Sequence, residues 1–155
     1  MQREFDVAEV HIPYGVLHDQ TLENVQYEQG CMTLTFSVRI FPEDYPDETF
    51  QKYAEFRHCD MIVSLPPEPF LYFYLETCPD RRGRFHGWAP DSEQFLDVVR
   101  HAGALTFLEC SAACRELQLE FAADFRAAKG KYRKYRKAAV CRVLLDAEKV
   151  QWKWY

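Results

Sequence analysis

The chain has 155 residues, of which 48% are hydrophobic and 15% aromatic, and its formal net charge is −5. This composition excludes intrinsic disorder and suits one domain with its own core, which we assign to residues 1–155. No apolar run is long enough to span a bilayer, and no signal-peptide core precedes the first alternating residues. We therefore predict a cytoplasmic protein, without membrane contact, whose six cysteines are reduced.

The first predicted elements are strands. The alternation of residues 5–12 loses its phase, which indicates a bulged or edge strand. Residues 17–40 then form the clearest element, a β-hairpin connected through Glu28-Gln29-Gly30. Five apolar residues alternate with polar ones along its second strand: Met32, Leu34, Phe36, Val38 and Ile40. This period-2 pattern predicts a strand with one buried face, and we expect the remaining elements to cover that face.

A long strand is predicted over residues 53–65, after an exposed acidic loop at residues 42–48, and residues 70–75 predict a strand covered on both faces. One helix follows. Asp91 is its predicted N-cap, and Gly103 is expected to end it in the left-handed conformation. Its apolar stripe consists of Phe95, Leu96, Val98, Val99 and Ala102. A helix of about three turns cannot bury this stripe alone, so it should pack on the sheet.

The last third of the chain predicts further strands. Residues 104–109 indicate a short strand, and residues 115–128 fit either a strand or a helix. Residues 140–145 and 150–155 predict a closing hairpin. The whole pattern favours an α+β fold, with a mostly antiparallel twisted sheet or partly open barrel of about seven to nine strands and one packed helix.

Two His-Asp pairs are candidates for catalysis. His18 and Asp19 stand at the start of the hairpin, where an imidazole beside a carboxylate would suit a general base. His58 and Asp60 lie two residues apart on a predicted strand, which places them on one wet face with Cys59 in the core. The alternative is that Asp19 hydrogen-bonds the turn backbone while His18 is half-exposed beside it.

Metal and cofactor signals are weak. Cys110 and Cys114 have a spacing that would supply half a zinc site, but no second pair is spaced to match. We therefore predict neither a metal nor a cofactor. The sequence also has no phosphate-cradling Gly-rich loop, no nucleophile elbow and no zinc-protease helix, which excludes those enzyme classes.

Charge is most unevenly distributed in residues 126–137, which hold seven of the 19 basic residues and no acidic one. Tyrosines interleave with the cations there, as stacking on nucleic-acid bases would require. The predicted binding residues are Lys129, Lys131, Tyr132, Arg133, Lys134, Tyr135, Arg136 and Lys137, joined by Arg82 and Arg84 of an arginine-rich loop. For residues 126–137, the alternative is a basic solvent face that protects a hairpin from aggregation. For the arginine-rich loop, the alternative is a flexible surface loop without a binding role.

Leu17-His18-Asp19, followed by residues 25–36, resembles the opening of small uncharacterised bacterial β-rich families, including some immunity proteins of polymorphic toxin systems. The resemblance implies an intracellular, single-domain α+β protein that acts by binding. It carries over no catalytic residues.

These observations favour a non-catalytic binding protein whose partner is an acidic protein or a nucleic acid, held by residues 126–137; a homodimer is also open. The first alternative is a hydrolase using His18, Asp19, His58 and Asp60. The second is a small-ligand carrier with an apolar, sheet-lined pocket. The aromatic residues that suggest such a pocket are Phe70, Tyr72, Phe73 and Tyr74.

Overall fold

The computed structural model describes residues 2–6, 16–41, 43, 51–68, 71–77, 82, 87–88, 92–135 and 139–155. In chain order the elements are β1 (Gln2–Asp6), β2 (Thr21–Glu28), β3 (Cys31–Ser37), β4 (His58–Ser64), β5 (Leu71–Thr77), β6 (Gly87–Trp88), α1 (Ser92–His101), β7 (Ala104–Ala113), β8 (Glu116–Asp124), a 3-10 helix (Gly130–Tyr135), β9 (Ala139–Asp146) and β10 (Lys149–Trp154). The predicted α+β class with an antiparallel sheet is confirmed. The described residues form ten strands, one more than the seven to nine predicted. The additional strand is β6, whose two residues are too few to show an alternating pattern.

The predicted hairpin is β2 and β3. Gln29 and Gly30 join the strands with φ angles of 50° and 76°, the left-handed pair that a type I′ turn requires. The five alternating apolar side chains predicted for the second strand are all buried, at 5% exposure or less, although β3 ends at Ser37, before Val38 and Ile40. The hairpin and its buried face are therefore confirmed.

The ten strands form one open sheet in the order β1-β10-β4-β3-β2-β7-β8-β9-β5-β6. Its two halves are joined where β2 meets β7, through only two residue pairs. Phe36 on β3 stacks on Phe121 on β8 with ring centroids 6.5 Å apart. In a flat sheet, strands separated by two others lie about 14 Å apart. The sheet is therefore folded over, so that its two halves face each other across the core.

The predicted closing hairpin is wrong. β9 pairs with β8 and β5, whereas β10 pairs with β4 and β1. The three-residue step from Asp146 to Lys149 can reach about 10 Å, which matches the spacing of two packed sheets. The connection therefore crosses from one half to the other. Buried Ala147 donates from its amide to the Arg115 carbonyl at 2.7 Å, and the Glu148 amide donates to the Ser64 carbonyl at 2.8 Å.

Helix α1 packs against β5 and β2, in opposite halves of the sheet. Phe95 and Val98 are buried, and Phe95 lies 5.1 Å from Phe73, centroid to centroid. The expected apolar stripe is thus confirmed. Gly103 does not adopt the expected left-handed conformation. Its amide instead donates to the Asp124 carbonyl at 2.8 Å, which fixes the start of β7 against the end of β8.

Three other expectations change. The strand predicted over residues 53–65 is limited to β4, because the chain turns before Arg57. The strand predicted over residues 70–75 is β5, and it is not covered on both faces, because Tyr72 is 42% exposed. The ambiguous stretch at residues 115–128 contains strand β8. The bulge expected within residues 5–12 and the Asp91 cap lie outside the described residues.

None of the helices among the described residues has the length and apolarity needed to cross a bilayer.

Candidate functional site

A polar concave surface of the described chain lies beside the segment that leaves β3. Two adjoining cavities of about 470 and 680 Å³ share the side chains of Ser37, Arg39 and Phe41. We call this surface the arginine groove; its other lining residues include His18, Asp19, Arg57 and His58. The cavities fall within the size range of ligand sites in proteins.

Buried Gln20 fixes the floor of the groove. Its Oε1 accepts from the Arg39 amide at 2.7 Å, and its Nε2 lies 3.4 Å from the carbonyl oxygens of both Arg39 and His18. The Asp19 amide donates to the Phe107 carbonyl at 2.9 Å, and Asp19 holds a φ of 65°, a conformation that short polar residues tolerate. One buried amide therefore links the hairpin start to the exit of β3.

The groove offers two cations and one ring to solvent. The Arg39 guanidinium carbon lies 4.8 Å from the centroid of the Phe41 ring, a cation–π arrangement, and Phe41 is 42% exposed. Arg57 donates from Nη1 to the carbonyl oxygens of Ala54 and Phe56, at 2.9 and 3.0 Å. Among the described residues, neither guanidinium has a carboxylate within 4.0 Å.

The residues proposed for a hydrolase contact different partners. His18 Nδ1 lies 3.0 Å from the Asp19 carboxylate, so this pair contacts directly. His58 Nε2 lies 3.5 Å from Glu23, a partner that the sequence did not suggest. Asp60 accepts from the Thr35 hydroxyl at 2.8 Å and from the Tyr155 hydroxyl at 3.3 Å. Asp60 and His58 share the outer face with Cys59 buried, as expected, but no described bond links them to the pair at the hairpin start.

The basic segment at residues 126–137 is built differently from its prediction. Tyr132 and Tyr135 are each 1% exposed, so the expectation that their rings stand ready to stack on bases is wrong. Both rings contact Phe125, with centroid distances of 5.4 and 6.0 Å. Lys131 forms an ion pair with Asp97 at 2.7 Å. The two rings are buried because of the tertiary structure: the 3-10 helix directs both of them into the core.

Other predicted binding residues are dispersed. Lys129 and Arg133 are exposed, as is Arg82 in a turn. The structure does not describe Arg84, Arg136 and Lys137, nor the side chain of Lys134. The predicted anion-binding use of these cations remains a prediction.

The cysteines lie apart. The described residues contain no group of three or more His, Cys, Asp or Glu side chains placed to hold a metal ion. Cys114 is exposed in the turn after β7, and Cys110 is partly buried within that strand. The five described cysteines are free thiols. Burial raises the pKa of Cys110 to about 12, and it raises the pKa of Cys59 and Cys141 well above the ordinary thiol range.

The aromatics proposed to line an internal pocket point in different directions. Phe73 is fully buried in the core, whereas Tyr72 and Tyr74 lie on the outer face of β5. With Leu144, Gln118 and Arg142 they border a surface cavity of about 310 Å³. Arg142 sits between Glu120, at 2.7 Å from its Nε, and Glu76, at 3.5 Å from its Nη1. Phe73, Tyr72 and Tyr74 therefore do not line one internal pocket, and Phe70 lies outside the described residues.

Neither Arg39 nor Phe41 is among the site residues predicted from the sequence. The available signal was their spacing, because residues two apart on an extended chain share a face and can form a cation–ring pair. The pairing of this segment with Gln20 and Arg57 is a tertiary feature.

No protein-family model, no curated protein and no solved structure matches the chain.

Proposed function

We propose that this protein is a non-catalytic binding protein that recognises an acidic partner protein through the arginine groove. The carrying observation is the pair Arg39 and Arg57. Both side chains line one concave surface, and neither has a carboxylate partner among the described residues. A carboxylate brought by a partner would form charge-assisted hydrogen bonds with these guanidinium groups.

The local geometry supports binding over catalysis. Each candidate acid or base already has a local partner: His18 contacts Asp19, His58 contacts Glu23, and Asp60 accepts from two hydroxyl groups. A general base has to reach the same substrate as the group it assists. A recognition surface needs only fixed donors and exposed rings, and the groove has both.

A bacterial, cytoplasmic setting is part of this proposal. Its cytoplasmic part is supported by the five described cysteines, which are free thiols; two of them are fully buried and act as small apolar core residues. Self-association and an acidic partner held by residues 126–137 are competing proposals that the following experiment addresses.

The test is charge reversal in the groove. The probe is a fluorescein-labelled peptide of alternating glutamate and glycine, and binding is followed by fluorescence anisotropy at low and high salt. Arg39→Glu and Arg57→Glu should each weaken binding by about tenfold or more, and added salt should weaken wild-type binding steeply. Thermal unfolding of each variant verifies that the fold is retained.

The matched control is Lys129→Glu with Arg133→Glu, which reverses two exposed cations of the basic segment. This control should bind like the wild type. If the control lost binding and the groove variants did not, the acidic partner would be assigned to residues 126–137, and the proposal for the arginine groove would be wrong. Sedimentation without the peptide reports self-association, and a dimer broken by the groove variants would replace the acidic partner with a second copy.

A hydrolase remains the second candidate, because His18, Asp19 and His58 border adjoining cavities. Screening wild type against ester, amide and phosphate-ester substrates tests it. Turnover that is lost in both His18→Ala and His58→Ala would replace the binding proposal.

A further inference from the structure

The arginine groove continues into a second ring–cation pair. The ring of His58, at one wall of the groove, stacks on the ring of Tyr155 with centroids 5.5 Å apart and an interplanar angle of 22°. Lys153 Nζ lies 5.3 Å from the Tyr155 centroid. Tyr155 is 51% exposed, so it presents an apolar surface beside a cation, as Phe41 does beside Arg39.

We propose that the partner segment is a short acidic stretch of polypeptide carrying an aromatic side chain, which packs on Phe41 or Tyr155 while its carboxylates bind Arg39, Arg57 and Lys153. This inference rests on the proposed function and specifies the ligand of the same site.

The Tyr155 ring is held before any partner arrives. The Tyr155 amide donates to the His58 carbonyl at 3.1 Å, and the Tyr155 carbonyl accepts from the amides of His58 and Arg57 at 2.8 and 2.9 Å. Its hydroxyl donates to Asp60 at 3.3 Å. Rings fixed in this way lose little conformational freedom on binding, which favours their use as contact surfaces.

The charges favour a polypeptide over a nucleic acid. Asp19 lines the groove and Glu23 contacts His58 of its wall, with side chains 74% and 47% exposed. A continuous phosphate backbone would meet repulsion from these carboxylates at the rim. A polypeptide can avoid it, because its carboxylates are spaced and its amides can donate to the rim. Among the residues whose side chains are described, which leaves out those of β1, Lys153 and the two arginines have no carboxylate within 4.0 Å.

The experiment compares two fluorescein-labelled peptides of equal charge. One is the alternating glutamate–glycine peptide, and the other replaces its central glycine with tryptophan. The tryptophan peptide should bind wild type about tenfold more tightly. At least one of Phe41→Ala and Tyr155→Ala should remove most of that difference, while both variants retain the weaker binding of the glycine peptide. Tyr27→Ala, which removes a ring 50% exposed at the far end of β2, should leave the difference unchanged.

Each other outcome is decisive. Equal affinities for the two peptides would overturn the aromatic anchor but leave the proposed function standing. Failure of both peptides to bind would overturn both proposals. Tighter binding of an oligothymidylate of the same charge, lost in Phe41→Ala and Tyr155→Ala, would replace the polypeptide with single-stranded nucleic acid, whose bases stack on such rings.

Discussion

The phenol of Tyr132 donates a 2.6 Å hydrogen bond to Asp97, across 35 residues of sequence. Lys131 forms an ion pair with the same carboxylate at 2.7 Å, and the ring of His101 stacks on that of Tyr132 at 5.2 Å. The most basic segment of the chain is therefore tied to helix α1 and contributes to the fold. This is why we assign recognition to a different surface.

The first prediction concerns Asp97. Hydrogen bonds from Lys131 and then Tyr132 lower its pKa below the ordinary 3.8, so folding favours the ionised form. This contribution is complete above the ordinary pKa and disappears as the pH falls through the lower, folded-state pKa. Asp97→Asn should lower the free energy of unfolding by about 1 kcal/mol near neutral pH, a small value because the carboxylate is a third exposed.

Urea denaturation of wild type and Asp97→Asn across a pH series measures this difference. The difference in the free energy of unfolding between the two proteins should decrease as the pH falls below about 4. A gap that stays constant through the acid range would mean that the charge of Asp97 contributes nothing. Glu116→Gln, at an exposed carboxylate of β8, serves as a surface control.

The second prediction concerns the support of the groove. Gln20→Leu removes both partners of the Arg39 backbone and should destabilise the protein by about 1–3 kcal/mol, because a buried N–H is left unpaired. It should also weaken binding of the acidic peptide, since Arg39 loses its fixed position. Gln26→Leu, at an exposed position of β2, should change neither quantity appreciably. Unchanged affinity in Gln20→Leu would show that binding of the acidic peptide does not depend on the fixed position of Arg39.

The third prediction concerns the β2–β3 turn. Gly30→Ala should destabilise by about 1 kcal/mol, because φ is 76° and L-residues with a Cβ resist that region. The added Cβ itself would meet the Leu65 carbonyl at an ordinary 3.7 Å. Gln29→Asn should act in the opposite direction, because Asn-Gly suits a type I′ turn. Chemical denaturation measures both, and equal signs would contradict the assigned turn.

The fourth prediction concerns thiol reactivity. Cys114 is exposed and should react first with a thiol reagent among the described cysteines. Cys59 and Cys141 should react only after unfolding, because burial raises their pKa values and blocks access. Cys114→Ser should remove the fast phase. Rapid labelling of Cys59 or Cys141 in the native protein would show that the core opens readily.

The candidate site was only partly predictable. His18, Asp19 and His58 were identified from residue type, and all three line the arginine groove. Glu23 was not identified as the partner of His58, because that contact depends on which strands are neighbours. Tyr132 and Tyr135 were misjudged for a related reason: their spacing among cations does not reveal which way a 3-10 helix turns them.

The sequence by itself determined the local elements. Alternation around Phe36 specified a strand with one dry face, and the stripe around Val98 specified a packed helix, because burial of side chains follows the period of each backbone. Only the tertiary structure decided where β9 and β10 lie. A short loop between two alternating strands satisfies a hairpin and a crossing between packed halves equally well, since either path needs only about 10 Å of chain. The choice depends on which strands β9 and β10 pair with, and those pairings join residues far apart in the chain.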